Sequence, residues 1–542
     1  MEKWLDRIMY DAGILYLAIP VFIFLVGWTR PAVFIPVGAI FLASLYFLLR
    51  NRPEEIAFHI GKKQILLFAG CILILAVWLY FSGIGGFSFQ NSDYTYRNAI
   101  FRDLIEKKWP VTYTFETSDA TNLSGLNALP HHAMMVYYIA FWLPAALVGK
   151  LSGWYGANAF LYFWALAGLI LVVYFLFRTL RRISIRSVLI LIFFSGLDVL
   201  GFLWKTGGKL PGLTDHIEWW SKYYQYSSDT TLLYWVFNQT IVFWLAMLLL
   251  MNLKNSKSLF FMYSLLLLYG PFPFLGMCPF VLWKAYEGYP LSQKNTGKNP
   301  VSHFLLWLFS GVRRAVSIEN IAGGITVLAI VYLYFQSNVT GGRKMGFNQI
   351  YSSLPHFLLF EAGLYLAFLC VVYVKKPIFW ICAASFLLIP LYQVGVGQDF
   401  CMRVSIPALF AMQLMIQKEL LGREKVSRPF LTRYDRKILA IMLTVMLVIG
   451  SVPPVEEMSR SIWYTTPYYE AGQNAMKSAG ASLSGSDTPF LAELGDAWTA
   501  QTGKGRTWSD TLKSLDNAGV TATNFVGTTD GNFFYRYLAR KE

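Results

Sequence analysis

Residues 64–84 read Gln64-Ile-Leu-Leu-Phe-Ala-Gly-Cys-Ile-Leu-Ile-Leu-Ala-Val-Trp-Leu-Tyr-Phe-Ser-Gly-Ile84, without one charged side chain. A helix of that length crosses the roughly 30 Å hydrocarbon layer of a bilayer. Comparable apolar blocks recur at 12–28, 32–49, 155–177, 187–204, 231–252, 319–336, 356–374, 377–394, 403–417 and 437–452. Over all 542 residues, 56% are apolar, 17% aromatic and only 14% charged, and mean hydropathy is +0.45. That balance excludes a soluble globular enzyme, a disordered chain and a collagen-like fibre. The blocks are unbroken rather than alternating, which excludes a transmembrane β-barrel. The fold class that remains is an all-α polytopic membrane protein with about 11–14 membrane helices.

Two segments resist a simple span. Residues 133–149 are short and contain Pro144, and the run 258–284 is broken by Pro271, Pro273 and Pro279. Basic residues cluster at Lys3/Arg7, Arg50/Arg52/Lys62/Lys63, Arg178/Arg181/Arg182/Arg186 and Lys254/Lys257. They cluster again between Lys284 and Arg314, at Lys375/Lys376, and between Lys418 and Lys437. Such clusters mark the cytoplasmic side of a membrane protein. All of them fall on one side if 133–149 is re-entrant or interfacial and 258–284 is a hairpin bent at its prolines. In the rival topology 133–149 crosses and Arg178–Arg186 faces outward. The net charge of +15 is then chiefly a topology signal, not a nucleic-acid footprint. The five cysteines, Cys71, Cys278, Cys370, Cys382 and Cys401, lie in or beside apolar runs without metal-ligand spacing, so they read as packing residues.

On the first topology, 85–130, 205–230, 337–355, 395–402 and 453–542 lie together on the outer face. In the first of these loops, Asp93 stands where a helix begins, after Asn91 and Ser92, and apolar residues recur at helical spacing through Ile105. Asp93 reads as a helix N-cap or as a functional carboxylate. Trp109-Pro110 follows, then Pro130-His131-His132, the pair Tyr137-Tyr138, and the basic end Arg178-Thr-Leu-Arg181-Arg182. Over residues 64–190 this order resembles the GT-C superfamily of membrane glycosyltransferases, in particular its protein O-mannosyltransferase-like branch, with a looser likeness in span layout to residue 452. One departure is Tyr94, where that family commonly carries a Glu after the first Asp.

The resemblance implies an inverting glycosyltransferase. A sugar passes from a polyprenyl phosphate or diphosphate donor to the hydroxyl of a glycan, lipid or protein acceptor at the extracytoplasmic face. Asp93 would take the acceptor proton. Arg97, Arg102 and Arg403 would hold the leaving phosphate, with Lys107 and Lys108 adding positive field and Tyr137 and Tyr138 lining the site. The bent 258–284 segment suits a polyprenyl tail. Arg403 has a second reading, snorkelling to the surface paired with Asp399. Asp215 and His216 sit in an aromatic-rich loop that reads as an interfacial belt or as a sugar contact. Tyr94 removes the paired carboxylates of a metal site, so a metal-independent enzyme is expected. A divalent metal would need Asp103, Glu116 or Asp119. Glu361, inside a span, is a functional group or a helix contact.

The polar tail 453–542 reads as a small extracytoplasmic α/β domain, with helices at 468–479, 509–518 and 532–539 and a strand at 521–527. The architecture suits a bacterial inner membrane, with the N-terminus cytoplasmic. Two alternatives share lipid-linked substrates: a transporter or flippase of a lipid-linked saccharide, and a surface-polysaccharide polymerase or ligase. The first predicts two similar halves and polar spans, which the sequence lacks.

Overall fold

The computed structural model describes residues 2–52, 61–114, 132–212, 215–287, 309, 311–313, 315–338, 345–395, 397–422, 431–478 and 524–541. Among them, eight helices are long and apolar enough to cross a membrane: Lys3–Trp28, Pro31–Arg50, Lys62–Tyr80, Ala140–Leu180, Ile185–Thr206, Asp229–Asn252, Leu354–Tyr373 and Arg433–Pro467. The chain is a multi-pass helical membrane protein. Leu66, Leu73, Phe163 and Trp380 are more than half exposed on its sides, as side chains facing lipid are.

Eight is fewer than the sequence suggests. Other apolar runs form shorter helices, Pro377–Leu388 and Ile406–Leu421. The 319–336 run opens with a π turn at Glu319–Gly324, in which Asn320 accepts from the amides of Phe260 and Phe261. Residues 143–180 form one helical run broken only at Gly153, whose φ of 73° and ψ of −171° turn the chain. The 133–149 segment therefore begins as a strand and continues into the arm before that break. The 258–284 segment is bent: helix Leu259–Ser264, a turn, extended Gly270, then helix Pro271–Tyr286. Ser256 Oγ donates to Lys284 O at 3.4 Å, so both arms return to one end.

The expected boundary at residue 452 falls inside a helical stretch. Helix Val452–Ser478 follows the 433–450 helix directly. It docks on the first loop through Ser461 Oγ to Phe81 O (2.5 Å) and Phe89 N to Thr465 Oγ1 (3.3 Å). The last segment is equally embedded: Arg540 N donates to Trp28 O and Arg30 N to Leu538 O, both at about 2.9 Å. The helix expected at 509–518 and the start of the expected strand lie outside the described residues.

Among the described residues, members of several basic clusters meet at one end of the bundle. Arg178 pairs with Asp6 at 3.0 Å and Arg52 with Asp11 at 3.2 Å, while Asn51 donates to Asn255 O at 2.9 Å. Ser187 reaches Gln417 at 2.5 Å, and Arg436 pairs with buried Glu419 at 2.8 Å.

The opposite end is built by turns and small sheets. Gly83, Gly85 and Gly86 all have φ between 74° and 83°, the left-handed region open to glycine. They reverse the chain from span 62–80 into helix Tyr94–Glu106. Three antiparallel strands then tie the loop to the C-terminus: β1 (Thr112–Thr114), β2 (His132–Met135) and, beyond β2, Val526–Thr528, with Tyr113 opposite Ala133 and Met134 opposite Gly527. A second ribbon pairs Met345–Phe347 with Tyr392–Val394.

Candidate active site

Helix Asp229–Asn252 is the buried axis of the molecule, and it is kinked at Val236 (φ −138°, ψ 36°). The carbonyls released by the kink are taken up locally: Thr240 Oγ1 donates to Leu232 O and Val236 O, and Asn91 Nδ2 donates to Tyr234 O at 3.0 Å. That last bond pins the first loop to the axis. Asn91 Oδ1 also accepts from Asp93 N at 3.2 Å, an Asx turn that starts the 94–106 helix. The Asp93 carboxylate makes no capping bond. It accepts instead from Arg97 Nη2 at 2.9 Å. Arg97 is 7% exposed and Asp93 43%, so the arginine forms the wall and the carboxylate faces outward.

Across from it, helix Asp399–Val404 repeats the arrangement. Arg403 Nη2 donates to Asp399 Oδ1 at 3.2 Å, and Nη1 donates to Tyr138 Oη at 2.6 Å. The Tyr137 and Tyr138 rings lie 3.6 Å apart between the arginines. Burial holds the Tyr137 phenol well above the usual tyrosine range, so it stays neutral and can donate. Arg97 Nη1 and Arg403 Nε are buried, and neither has a partner among the described residues. Buried guanidinium N–H groups are costly to leave unpaired; for Arg97 the Tyr94 and Phe237 rings, each 5.5 Å from its guanidinium carbon, offset part of that cost.

Asp93, Asp399 and Arg403 line a cavity of about 430 Å³ together with His216, within the size range of small-molecule sites. Trp219 and Trp235 are its aromatic wall. His216 stacks on Trp219 at 4.4 Å and meets Arg460 Nη1 at 3.2 Å. Burial, then the Arg460 charge, push the His216 imidazole down to about 4, so it is neutral at pH 7. The sign for stability follows: the unfolded imidazole binds a proton near pH 6.5 and the folded one resists it. The His216 contribution is whole above about pH 6.5 and lost as pH falls toward 4. A His216→Gln protein should therefore lose less thermal stability between pH 6.5 and 4 than the parent; parallel melting curves would refute this.

The other candidates are placed elsewhere. Arg102 pairs with Glu106 at 3.7 Å over the Trp154 ring, away from the cavity. Lys107 lies over the Tyr113 ring and Lys108 is exposed; neither lines the cavity. The Asp215 carboxylate accepts from Gly212 N at 2.9 Å, and only its carbonyl reaches the site wall, through Arg460 Nη2 at 3.0 Å. Asp103 is buried and accepts from Tyr113 Oη at 2.7 Å; Glu116 and Asp119 lie outside the described residues. Among the described residues no group of three His, Cys, Asp or Glu is placed to hold a metal. Glu361 is buried and accepts from Trp220 Nε1 at 2.8 Å.

Sequence reasoning missed Glu456 and Glu457, which form a third wall with Glu218 of the aromatic-rich 205–230 loop. Glu457 accepts from Trp235 Nε1 and Arg460 Nη1, each at 2.7 Å. The signal was present as Glu456-Glu457-Met-Ser-Arg460, charges at helical spacing directly after an apolar run.

The helix bearing Arg403 is seated on Gly276, where any Cβ would overlap the Val404 carbonyl oxygen. Gly276→Ala should cost about 1–3 kcal/mol, read as a lower unfolding midpoint in detergent; an unchanged midpoint would discount this packing. Compared with protein-family models, curated proteins and solved structures, the chain has no match.

Proposed function

We propose that the chain is an inverting glycosyltransferase of GT-C type that uses a polyprenyl-phosphate-linked sugar. The observation carrying this reading is a cavity lined by the outward-facing carboxylate Asp93 together with Asp399 and Arg403, each carboxylate ion-paired to a buried arginine, Arg97 or Arg403. The acceptor oxygen attacks the anomeric carbon on the face opposite the phosphate, and its proton passes to Asp93. The anomeric C–O bond breaks, and its electron pair leaves on the phosphate oxygen. Arg97 and Arg403 stabilise the charge there. Tyr138 orients Arg403 through its hydroxyl. No metal is assigned a part.

The gathering of basic clusters at the far end supports a cytoplasmic N-terminus and a cavity at the extracytoplasmic face, as in a bacterial inner membrane. The resemblance over residues 64–190 supports the reaction class. The 271–286 helix packs on the Arg403 helix through Phe272 and Phe400, 5.4 Å apart, a lipid-side approach for the polyprenyl tail. The purified protein, given a polyprenyl-phosphate sugar and acceptor, should release polyprenyl phosphate and give a product of inverted anomeric configuration. Movement of intact lipid-linked sugar between leaflets, with no phosphate released, would favour the transporter.

A further inference from the structure

The ribbon of strands Met345–Phe347 and Tyr392–Val394 has two unlike faces. Side chains directly opposite in an antiparallel pair share a face, and neighbours along a strand alternate. Met345 lies opposite Val394 and Phe347 opposite Tyr392, while Gly346 lies opposite Gln393. One face is therefore wholly apolar, and the other holds a glycine and an amide. Among the described residues the apolar face is left open: Phe347 is 90% exposed and Met345 58%, and Ile350 just beyond the ribbon is exposed as well. An open apolar face of this kind marks a contact with lipid or with another molecule.

The ribbon is fastened at its base. Asn348 N donates to Leu391 O at 2.8 Å and Asn348 Nδ2 to Pro390 O at 3.3 Å. Tyr224 Oη donates to Gln349 O at 3.1 Å and accepts from Tyr351 N at 3.2 Å. These bonds hold it where the apolar helix Pro377–Leu388 ends and just before the Leu354–Tyr373 span begins. The apolar face also continues inward. The Phe347 ring meets Tyr392 edge-on at 6.0 Å, Tyr392 meets Phe400 at 5.6 Å, and Phe400 meets Phe272 at 5.4 Å. Phe400 follows Asp399 directly and lies three residues before Arg403, and both of those line the cavity. A face that met only bulk lipid would end at its outer rings. This one runs from an exposed phenyl ring to the helix that carries Arg403.

We propose that the apolar face of the ribbon, together with Phe400 and Phe272, holds the hydrocarbon tail of the lipid donor whose phosphate lies in the cavity. This rests on reading the cavity as the phosphate site. An isoprenoid tail offers no polar group, so the ribbon recognises it by covered apolar area, and the phosphate end sets its direction.

The test is binding, which does not depend on turnover. The full chain in nanodiscs is titrated with a long polyprenyl phosphate and with geranyl phosphate, which keeps the phosphate and loses most of the tail. Phe347→Ser should weaken binding of the long ligand by roughly 10- to 100-fold, the worth of covering one phenyl ring, and leave geranyl phosphate unchanged. Gln393→Ser, on the opposite face, should change neither. A polyprenyl phosphate with a photoreactive group on its tail should label the peptide that carries Met345 and Phe347. An equal loss for both ligands in Phe347→Ser, or no loss for the long one, overturns the proposal. So does photolabelling of the ribbon by bulk phospholipid, or its cross-linking to a second copy of the chain, that polyprenyl phosphate does not displace. A parent protein that binds both phosphates alike overturns it alone, and one that binds neither removes the phosphate reading of the cavity as well. Tail binding in a protein that transfers no sugar would count against the glycosyltransferase reading alone.

Discussion

Replacing Asp93 with Asn should lower kcat for sugar transfer by about 10²- to 10⁴-fold, the usual worth of a positioned general base. The start of the helix has no reason to respond, and the buried Arg97 charge loses its counter-ion at some cost in stability. The Asp93 side chain makes no capping bond, because Asn91 starts the helix, and Asn offers the same oxygen to Arg97. The loss therefore belongs to the chemical step. Arg97 would also be relieved of its counter-charge, so the phosphate end becomes more cationic and KM should stay level or fall. A drop in kcat without a rise in KM separates a missing base from a collapsed site. Steady-state kinetics on folded, inserted protein makes the measurement, and transfer at the parental rate would remove Asp93 from the mechanism.

Arg403→Lys should cost about 10²- to 10³-fold in kcat/KM, within the range for losing one preorganised donor to a developing anion. Lys keeps the charge and can still pair with Asp399, so bulk electrostatics change little. Its three N–H groups radiate from one nitrogen, so it cannot reach Tyr138, Asp399 and a phosphate from the separate positions that the Arg403 fork occupies. The effect should fall on substrate binding and on kcat together, because the phosphate is held before and during bond breaking. Kinetics equal to the parent would return Arg403 to a snorkelling residue paired with Asp399.

The sequence made the membrane class legible because a 20-residue apolar block has few other homes. Span number was less legible. Periodicity and length cannot show that 143–180 is one helical run turning at Gly153, or that 406–421 ends short. The bend in 258–284 was readable because proline removes a donor and blocks the preceding turn. Part of the site was readable by residue type: Asp93, Arg97, Tyr138, Asp399 and Arg403 come together, and four of them form two Asp-x₃-Arg pairs at helix starts. Arg102 was misjudged because five residues along a helix turn a side chain to a different face, here toward Trp154. Glu456, Glu457 and Arg460 were hidden by composition: a polar stretch after the last span reads as a separate domain, when it continues a helix into the cavity wall.

The central claim is that Arg97 and Arg403 receive a lipid phosphate beside Asp93. A cryo-electron microscopy map of the full chain in nanodiscs with polyprenyl phosphate measures this directly. The account predicts phosphate density within hydrogen-bond distance of the Arg97 and Arg403 guanidinium groups, with the tail leaving past Phe272 and Phe400. Phosphate density seated away from both arginines, or in a passage running through the bundle to the basic end, would contradict it.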